Sequence, residues 1–441
     1  MTSAAATHPA LEWAASGAMA VSGRPDGPPV LAPAALATWA RERLDELRAL
    51  AGARWVFGEV DGGALLGERA AIFGYARRGA VSPSGTCRLL RAADGGFIAA
   101  NLPRDDDWRL VPAWLEDDGL AELAGRDREG AWAALTERVG LADAGATIAR
   151  ARLLGLAVAP VAGPAAAPPP PVRVRARGPW RCPTADGAAP LVVDLSSLWA
   201  GPLSGHLLAG AGARVVKVES TRRPDGARRG PRAFLDLLNA GKESVALDFT
   251  DDADRAVLVR LVERADLVIE SSRPRALRQL GIDAERIVAR APGKVWLSLT
   301  GYGRGEPEAE WVAFGDDASA AAGLVRATGY AAGSATPLFC GDAIADPLAG
   351  IEAAVAGLRA WRGGESVLLD VSLCDVVRTV LDAAPMPGGA AVAARRGGGF
   401  DVEADGERMP VAEPRARTPR GSAADLGADT TQVLASLGIR C

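Results

Sequence analysis

Histidine is nearly absent from this sequence. Only His8 and His206 occur in 441 residues, so schemes built on Ser-His-Asp, Cys-His or histidine-metal groups have little to draw on. The five cysteines (Cys87, Cys182, Cys340, Cys374 and Cys441) are odd in number, widely spaced and never in a CxxC pair. That pattern argues against a disulfide framework or a zinc site and for reduced, partly buried thiols. Cations are better supplied. Arg214, Lys217, Arg222, Arg223, Arg228, Arg229 and Arg232 crowd one stretch, opposed only by Glu219 and Asp225. Guanidinium groups gathered in a loop suit a phosphorylated nucleotide; a solvated basic loop is the plainer alternative. Gly210-Ala-Gly212, before a strand ending at Glu219, imitates part of a dinucleotide fingerprint. The glycines close a helix instead of opening one, so they read as a helix C-cap.

The elements that must position these groups follow from periodicity. Leu191–Leu195, Arg214–Glu219, Ser244–Asp248, Leu267–Glu270, Val295–Leu299 and Val367–Val371 are short apolar runs of the kind found in buried parallel strands. Helical patterns separate or follow them at Gly201–Ala211, Asp251–Arg264, Pro274–Leu280, Ala318–Val325, Pro347–Trp361 and Leu373–Leu381. Such alternation predicts an α/β, Rossmann-like parallel sheet domain. Ahead of it, Leu31–Ala51, Leu110–Leu123, Trp132–Val139 and Ala142–Leu156 read as helices and Ala157–Pro160 as a strand. Cys87–Leu102 reads as a hairpin turning at Asp94-Gly95. These make a smaller mixed α+β domain over residues 1–161. A Pro/Arg-rich linker over 162–180, the sheet domain over 181–384 and a tail over 385–441 complete the division. The tail reads as loop-like to Leu426 with a closing helix at Thr430–Leu437.

Composition bounds the function class. A net charge of −4 provides no whole-protein field for nucleic acid. No apolar stretch approaches the ~20 residues needed to span a membrane, and the first residues lack a secretion signal. A cytoplasmic protein is the expectation.

Six segments in one order carry a family resemblance. They are Val192–Leu203, Gly212–Glu219, Asn239–Asp248, Ala265–Pro274, Trp296–Gly303 and Leu369–Asp375. Together they resemble the family III CoA-transferases, which include formyl-CoA and carnitine CoA-transferases and the α-methylacyl-CoA racemases. Ala265–Pro274 is similar to the family's ADVVVENFRP segment, and Leu369–Asp375 to its VDVSLxD segment. The resemblance implies acyl-CoA:carboxylate CoA transfer through an aspartyl-CoA thioester. The partners are an acyl-CoA and a carboxylic acid acceptor, no cofactor is permanently bound, and the assembly is a homodimer. It places the nucleotide end of CoA at Ala200-Gly201, Leu238-Asn239, Lys242 and Ser271-Ser272-Arg273, with the basic loop residues Arg222 and Arg223 nearby. The family's Asn-Phe is Ser271-Ser272 here, and a frequent family Arg falls on Gln279 with Arg278 beside it.

The resemblance puts the nucleophile in Phe314-Gly315-Asp316-Asp317, ahead of an Ala-rich helix ending in Gly323-Leu324. Counting back without a gap lands on Gly315; a shift of one lands on Asp316. Asp316 is the expected catalytic residue and Asp317 the second, with helix capping as the structural alternative for either. A racemase needs an acid/base pair, and His8, expected in a frayed terminus, and His206, expected in a packed helix, offer none beside Asp316. A CoA-binding pseudoenzyme is the non-enzyme alternative. Ala416–Pro419 and Gly427–Gly438 resemble the family's C-terminal end. Cys87–Ile98 and Ala151–Val161 resemble parts of its small domain, and Glu12–Gly23 resembles a second, shortened copy of the helix after the Asp. A permuted or duplicated and trimmed order is therefore expected.

Overall fold

A computed structural model describes residues 7–439 apart from 118, 120–124, 166 and 184–188. The front hairpin forms as its pattern requires, with β1 (Cys87–Arg91) antiparallel to β2 (Phe97–Asn101) and β2 antiparallel to β3 (Ala157–Pro160). Helices Asp105–Leu115, Arg128–Gly140 and Ala144–Leu153 cover this sheet. Trp108, Trp114, Trp132, Leu135 and Ile98 fill a core of their own beneath them. The expected Leu110–Leu123 helix instead begins at Asp105 and stops at Leu115, where Glu116 turns to φ +56°; positions 118 and 120–123 lie outside the described residues. The expected Leu31–Ala51 helix starts only at Leu36, because Pro33 and Ala35 bond across to Met386 and Ala384.

The large sheet runs β4-β10-β9-β8-β5-β6-β7. Its strands are β4 (Val172–Arg177), β5 (Leu191–Asp194), β6 (Arg214–Ser220), β7 (Glu243–Leu247), β8 (Leu267–Glu270), β9 (Val295–Thr300) and β10 (Val367–Ser372). All pair in parallel except β4, which joins β10 antiparallel. Helices on both faces exclude water from the apolar runs, and the long Ala345–Arg362 helix packs against the Ala200–Gly210 helix. Gly350 makes that approach possible, since a Cβ there would meet the Ala200 carbonyl at 2.6 Å.

The chain reverses direction at β5. It proceeds outward through β6 and β7, then returns to β8 on the other side. Open α/β sheets take ligands at such a switch point, outside the carboxyl ends of the strands, here β5 and β8.

Two expectations need correction. Residues 172–177 are not linker but the edge strand β4. The alternating arginines are its period-two face: Arg173 pairs with Asp375, Arg175 with Asp370 and Arg177 with Glu365. The tail is not loop-like either. It folds into an antiparallel meander of β11 (Ala391–Ala394), β12 (Phe400–Ala404) and β13 (Glu407–Pro410). The Pro9–Ala15 helix packs on β12 and β13. Among the described residues, no helix is long and apolar enough to cross a membrane.

Candidate active site

Gly315–Ala321 forms a short helix whose first turn carries Asp316 and Asp317. Asp317 accepts the Phe314 N–H at 2.9 Å, so it does cap the helix. The same carboxylate also accepts the Asn101 amide at 2.9 Å and the Tyr302 hydroxyl at 3.1 Å. Asn101 ends β2 and Tyr302 follows β9, so two sheets converge on one side chain. Burial raises the Asp317 pKa to about 6 against these donors. Asp316 accepts the Ala343 N–H at 2.9 Å. Burial, then the nearby Asp342, push it up to about 7, against the pull of Arg69.

Arg69 is the counter-charge of this cluster. It donates to both Asp342 oxygens, at 2.7 and 2.6 Å, and stands over the Trp199 ring, 5.3 Å from its centre. Trp199 belongs to the turn after β5. Arg69 therefore joins the carboxylates to the turn at the switch point. A further acid, Asp346, accepts the Gly315 N–H, and its pKa is also raised to about 7 by burial. Its carboxylate and the Ala343 carbonyl occupy the space that a Cβ on Gly315 would need. Position 315 is therefore held to glycine in this fold.

The residues expected around the nucleotide divide into two groups. Ser271, Ser272 and Arg273 do lie at the switch point, where the Ser197 N–H donates to Ser271 Oγ at 3.2 Å. Arg273 is partly buried, and its charge is disfavoured by burial, then by Arg275, and by Arg104 and Arg223. Arg104 in turn stands over the Phe314 ring, 5.6 Å from its centre. A cationic rim thus leads from the β8 loop to the start of the Asp316 helix.

The other group is turned inward. Lys242 is buried, donating to Asp194 and to the Pro202 carbonyl at 2.8 Å each; it faces the protein and no phosphate. Leu238 is core, and Asn239 is buried with its amide on the Leu235 carbonyl. Ala200 and Gly201 are buried in the helix start, with Gly201 against Ser196. Most of the basic loop is likewise spent internally. Lys217 pairs with Asp225, Arg228 with Glu219, Arg222 with Asp248 and Arg214 with Glu243. Arg278 faces Glu285 at 3.5 Å on the surface. What Lys217 and Lys242 do is hold the turn after β5 from beneath, since Lys217 also donates to the Ser196 carbonyl.

Neither histidine joins the acids. His8 is not frayed; it caps the Pro9–Ala15 helix, accepting the Ala10 N–H. His206 packs on Phe57 beside Arg417, and burial holds its pKa well below the usual value.

Residues 190–414 match the profile of CoA-transferase family III. The chain belongs to that family. It is 31% identical over 195 residues to an acetyl-CoA:oxalate CoA-transferase from Acetobacter aceti, covering 42% of this chain and 50% of that protein. Over 207 residues it is 32% identical to a succinate–glutarate CoA-transferase from Agrobacterium fabrum, covering 43% and 51%. The chain spans about half the length of these curated relatives. A solved CaiB/BaiF family protein from Brucella suis is 27% identical, with 50% of this chain and 66% of that one covered at a TM-score of 0.41.

The family region contributes Asp316, Asp317, Asp342, Asp346 and Tyr302. Arg69 and Asn101 come from ahead of it. Sequence reasoning missed Asp342, Asp346, Tyr302, Arg69 and Asn101. The one local signal was the pair Asp342 and Asp346 at the opening of a long helix, which looks like ordinary N-terminal acid placement.

Proposed function

We propose that the chain is an acyl-CoA:carboxylate CoA-transferase acting through an aspartyl-CoA thioester. One observation carries this reading: Arg69 ties a buried carboxylate cluster to Trp199, in the turn at the β5/β8 switch point. The switch-point side, with Arg273, Arg223 and Ser271, suits the phosphates of CoA. Asp316 is the nucleophile in this reading, and Asp317 the alternative. A carboxylate oxygen attacks the thioester carbonyl, the C–S bond breaks and the thiolate leaves. The thiolate then attacks the aspartyl carbonyl of the mixed anhydride and releases the first acid. Once the aspartate is ionised no step of the transfer removes a proton, which suits a site with no histidine beside the acids.

The reading includes a homodimer and a permuted chain order. The order is supported by the packing of the β1–β3 sheet, from the front of the chain, on the Gly315–Ala321 helix. One observation favours a second reading, a CoA-binding protein without turnover: Asp316 and Asp317 are 3% and 0% exposed. Incubation with acetyl-CoA followed by mass spectrometry separates them. A CoA or hydroxylamine-sensitive acetyl adduct on Asp316 or Asp317 is expected. CoA binding without any adduct would sink the transferase reading.

A further inference from the structure

The turn that leads into the Ala345–Arg362 helix runs against ordinary backbone preference. Gly341 has φ +71° and Ala343 has φ +43°. Glycine takes positive φ freely; alanine does so only where its surroundings impose it. Here the front of the chain imposes it. Ser22 Oγ accepts the Gly341 N–H at 2.7 Å, and Arg69 forks the carboxylate of Asp342, the residue between. Ala343, itself buried, then turns both of its backbone polar groups to the acidic helix. Its N–H donates to Asp316 Oδ1 at 2.9 Å, and its carbonyl fills the space a Cβ on Gly315 would need. A strained residue pinned from both sides, with its N–H on the expected nucleophile, is the kind of outlier that points to chemistry.

We propose that the Ala343 N–H is the oxyanion donor of the transfer, holding Oδ1 of Asp316 through each attack on its Cγ. The proposal rests on the aspartyl-CoA reading above with Asp316 as nucleophile, and assigns the group that stabilises its charged intermediates. With Oδ1 bonded to the N–H, Oδ2 is the oxygen that attacks the acyl-CoA. The mixed anhydride bridges through Oδ2 and keeps Oδ1 as its aspartyl carbonyl oxygen. When the CoA thiolate adds to Cγ, the carbonyl electron pair moves onto Oδ1. The Cγ–Oδ2 bond then breaks, the first acid leaves as a carboxylate carrying Oδ2, and the aspartyl-CoA thioester remains. The acceptor carboxylate adds to the same carbon, Oδ1 takes the charge again, and the thiolate leaves. Finally the thiolate attacks the acceptor's carbonyl in the new anhydride, which gives the new acyl-CoA and returns the aspartate. Both additions at Cγ convert Oδ1 from a neutral carbonyl oxygen to an oxyanion. A fixed donor there binds the transition state more strongly than the anhydride or the thioester, and in a buried site it needs no reorganisation.

An amide-to-ester exchange in the full chain tests this, because lactic acid in place of Ala343 deletes that one N–H and keeps the methyl group. Exchange of label between acetyl-CoA and deuterated acetate is the assay, and it requires no knowledge of the natural acceptor. Exchange should fall about a hundredfold in kcat with the KM for acetyl-CoA nearly unchanged. Its acid limb should move to higher pH, since the lost N–H favours ionised Asp316. An ester chain as fast as the amide chain would overturn the proposal. The wild type supplies a second measurement that stands even if the ester chain does not fold. Infrared spectra of the trapped aspartyl-CoA thioester, edited with carbon-13 aspartate, should show a carbonyl stretch below that of an alkyl thioester in hexane. An equal stretch would overturn the proposal too. The trapping experiment separates this inference from the reading beneath it. No adduct on either aspartate sinks both. An adduct on Asp317, or one on Asp316 in an ester chain of undiminished rate, sinks the oxyanion donor alone.

Discussion

The Gly315–Ala321 helix packs on the β1–β3 sheet, and the Pro9–Ala15 helix packs on the β11–β13 sheet. Each helix is followed by a glycine of positive φ, Gly323 at +99° and Gly17 at +79°, which opens a further helical segment. Each glycine is crowded by the segment leaving its sheet: a Cβ would meet Pro164 N at 2.7 Å or Pro414 Cα at 2.7 Å. The segments match, Pro160-Val161-Ala162-Gly163-Pro164 against Pro410-Val411-Ala412-Glu413-Pro414. Beyond each glycine a long helix follows, Ala345–Arg362 and Leu36–Ala51, and the two pack together. Counting back from the glycines sets Asp316-Asp317 against Ala10-Leu11, which are buried apolar residues. One scaffold thus occurs with and without its acids. Since the helix and sheet pack without them, the buried carboxylates are an extra cost to folding, and such costs gather where chemistry is done.

The largest effect should come from removing the acids. Asp316→Asn or Asp317→Asn should lower acyl transfer by about a thousandfold or more for whichever is the nucleophile, read by steady-state rates and by loss of the mass adduct. Substitutions at the half-buried Pro9 or Ala15 of the Pro9–Ala15 helix should leave transfer intact; if they abolish it as well, the contrast between the two pairs fails. Next is the counter-charge. Arg69→Leu strands Asp342 beside Asp316 and should destabilise the fold by about 3–5 kcal/mol, measured by urea unfolding. The glycines sharpen the comparison. Gly17→Ala and Gly323→Ala should each cost roughly 1–3 kcal/mol, but only Gly323→Ala should also slow transfer.

The effects of pH run in opposite directions for stability and rate. Asp316, Asp317 and Asp346 have folded pKa values raised to about 7, 6 and 7, above the ~3.9 of an unfolded aspartate. The folded chain holds these protons more tightly than the unfolded one. Their contribution to stability is complete below about pH 4 and is lost as pH rises through 6 to 7. The nucleophile must be ionised, so transfer should increase across that same interval and level off above it. A rate that falls between pH 6 and 8 would contradict the carboxylate mechanism. Asn101→Ala removes a donor that favours ionised Asp317; it should leave this limb in place where Asp316 is the nucleophile and move it to higher pH where Asp317 is. The smallest effect should be that of Arg222→Ala. Its exposed pair with Asp248 predicts a change of at most about 1 kcal/mol in stability and little change in CoA affinity by calorimetry.

The central strands were legible because each is a continuous apolar run, and burial on both faces demands that. β4 was hidden by the prolines ahead of it and by arginines that read as solvent-facing. Only the acids on and after β10 turn them into a sheet edge. The tail sheet was hidden by short strands and glycine-rich turns. At the site, Asp316-Asp317 was visible from local pattern, while the packing that crowds Gly315 was not. Lys242 was misassigned because a loop lysine that binds phosphate and one that props a turn look alike until burial is known. Arg69 and Asn101 carried no local signal, since nothing near them in the sequence is acidic partner or motif.

Arg69 and Asp342 stand 273 residues apart, and Asn101 and Asp317 are 216 apart. During synthesis the arginine and the amide emerge long before the carboxylates they serve. The hairpin ending at Asn101 and its covering helices can settle early on their own core, keeping that amide wet until the last third of the chain arrives. Contacts of such long range close late and slowly. The acidic pocket is then among the final parts of the molecule to assemble, and a nascent chain interrupted before it would carry the cations without the groups they neutralise.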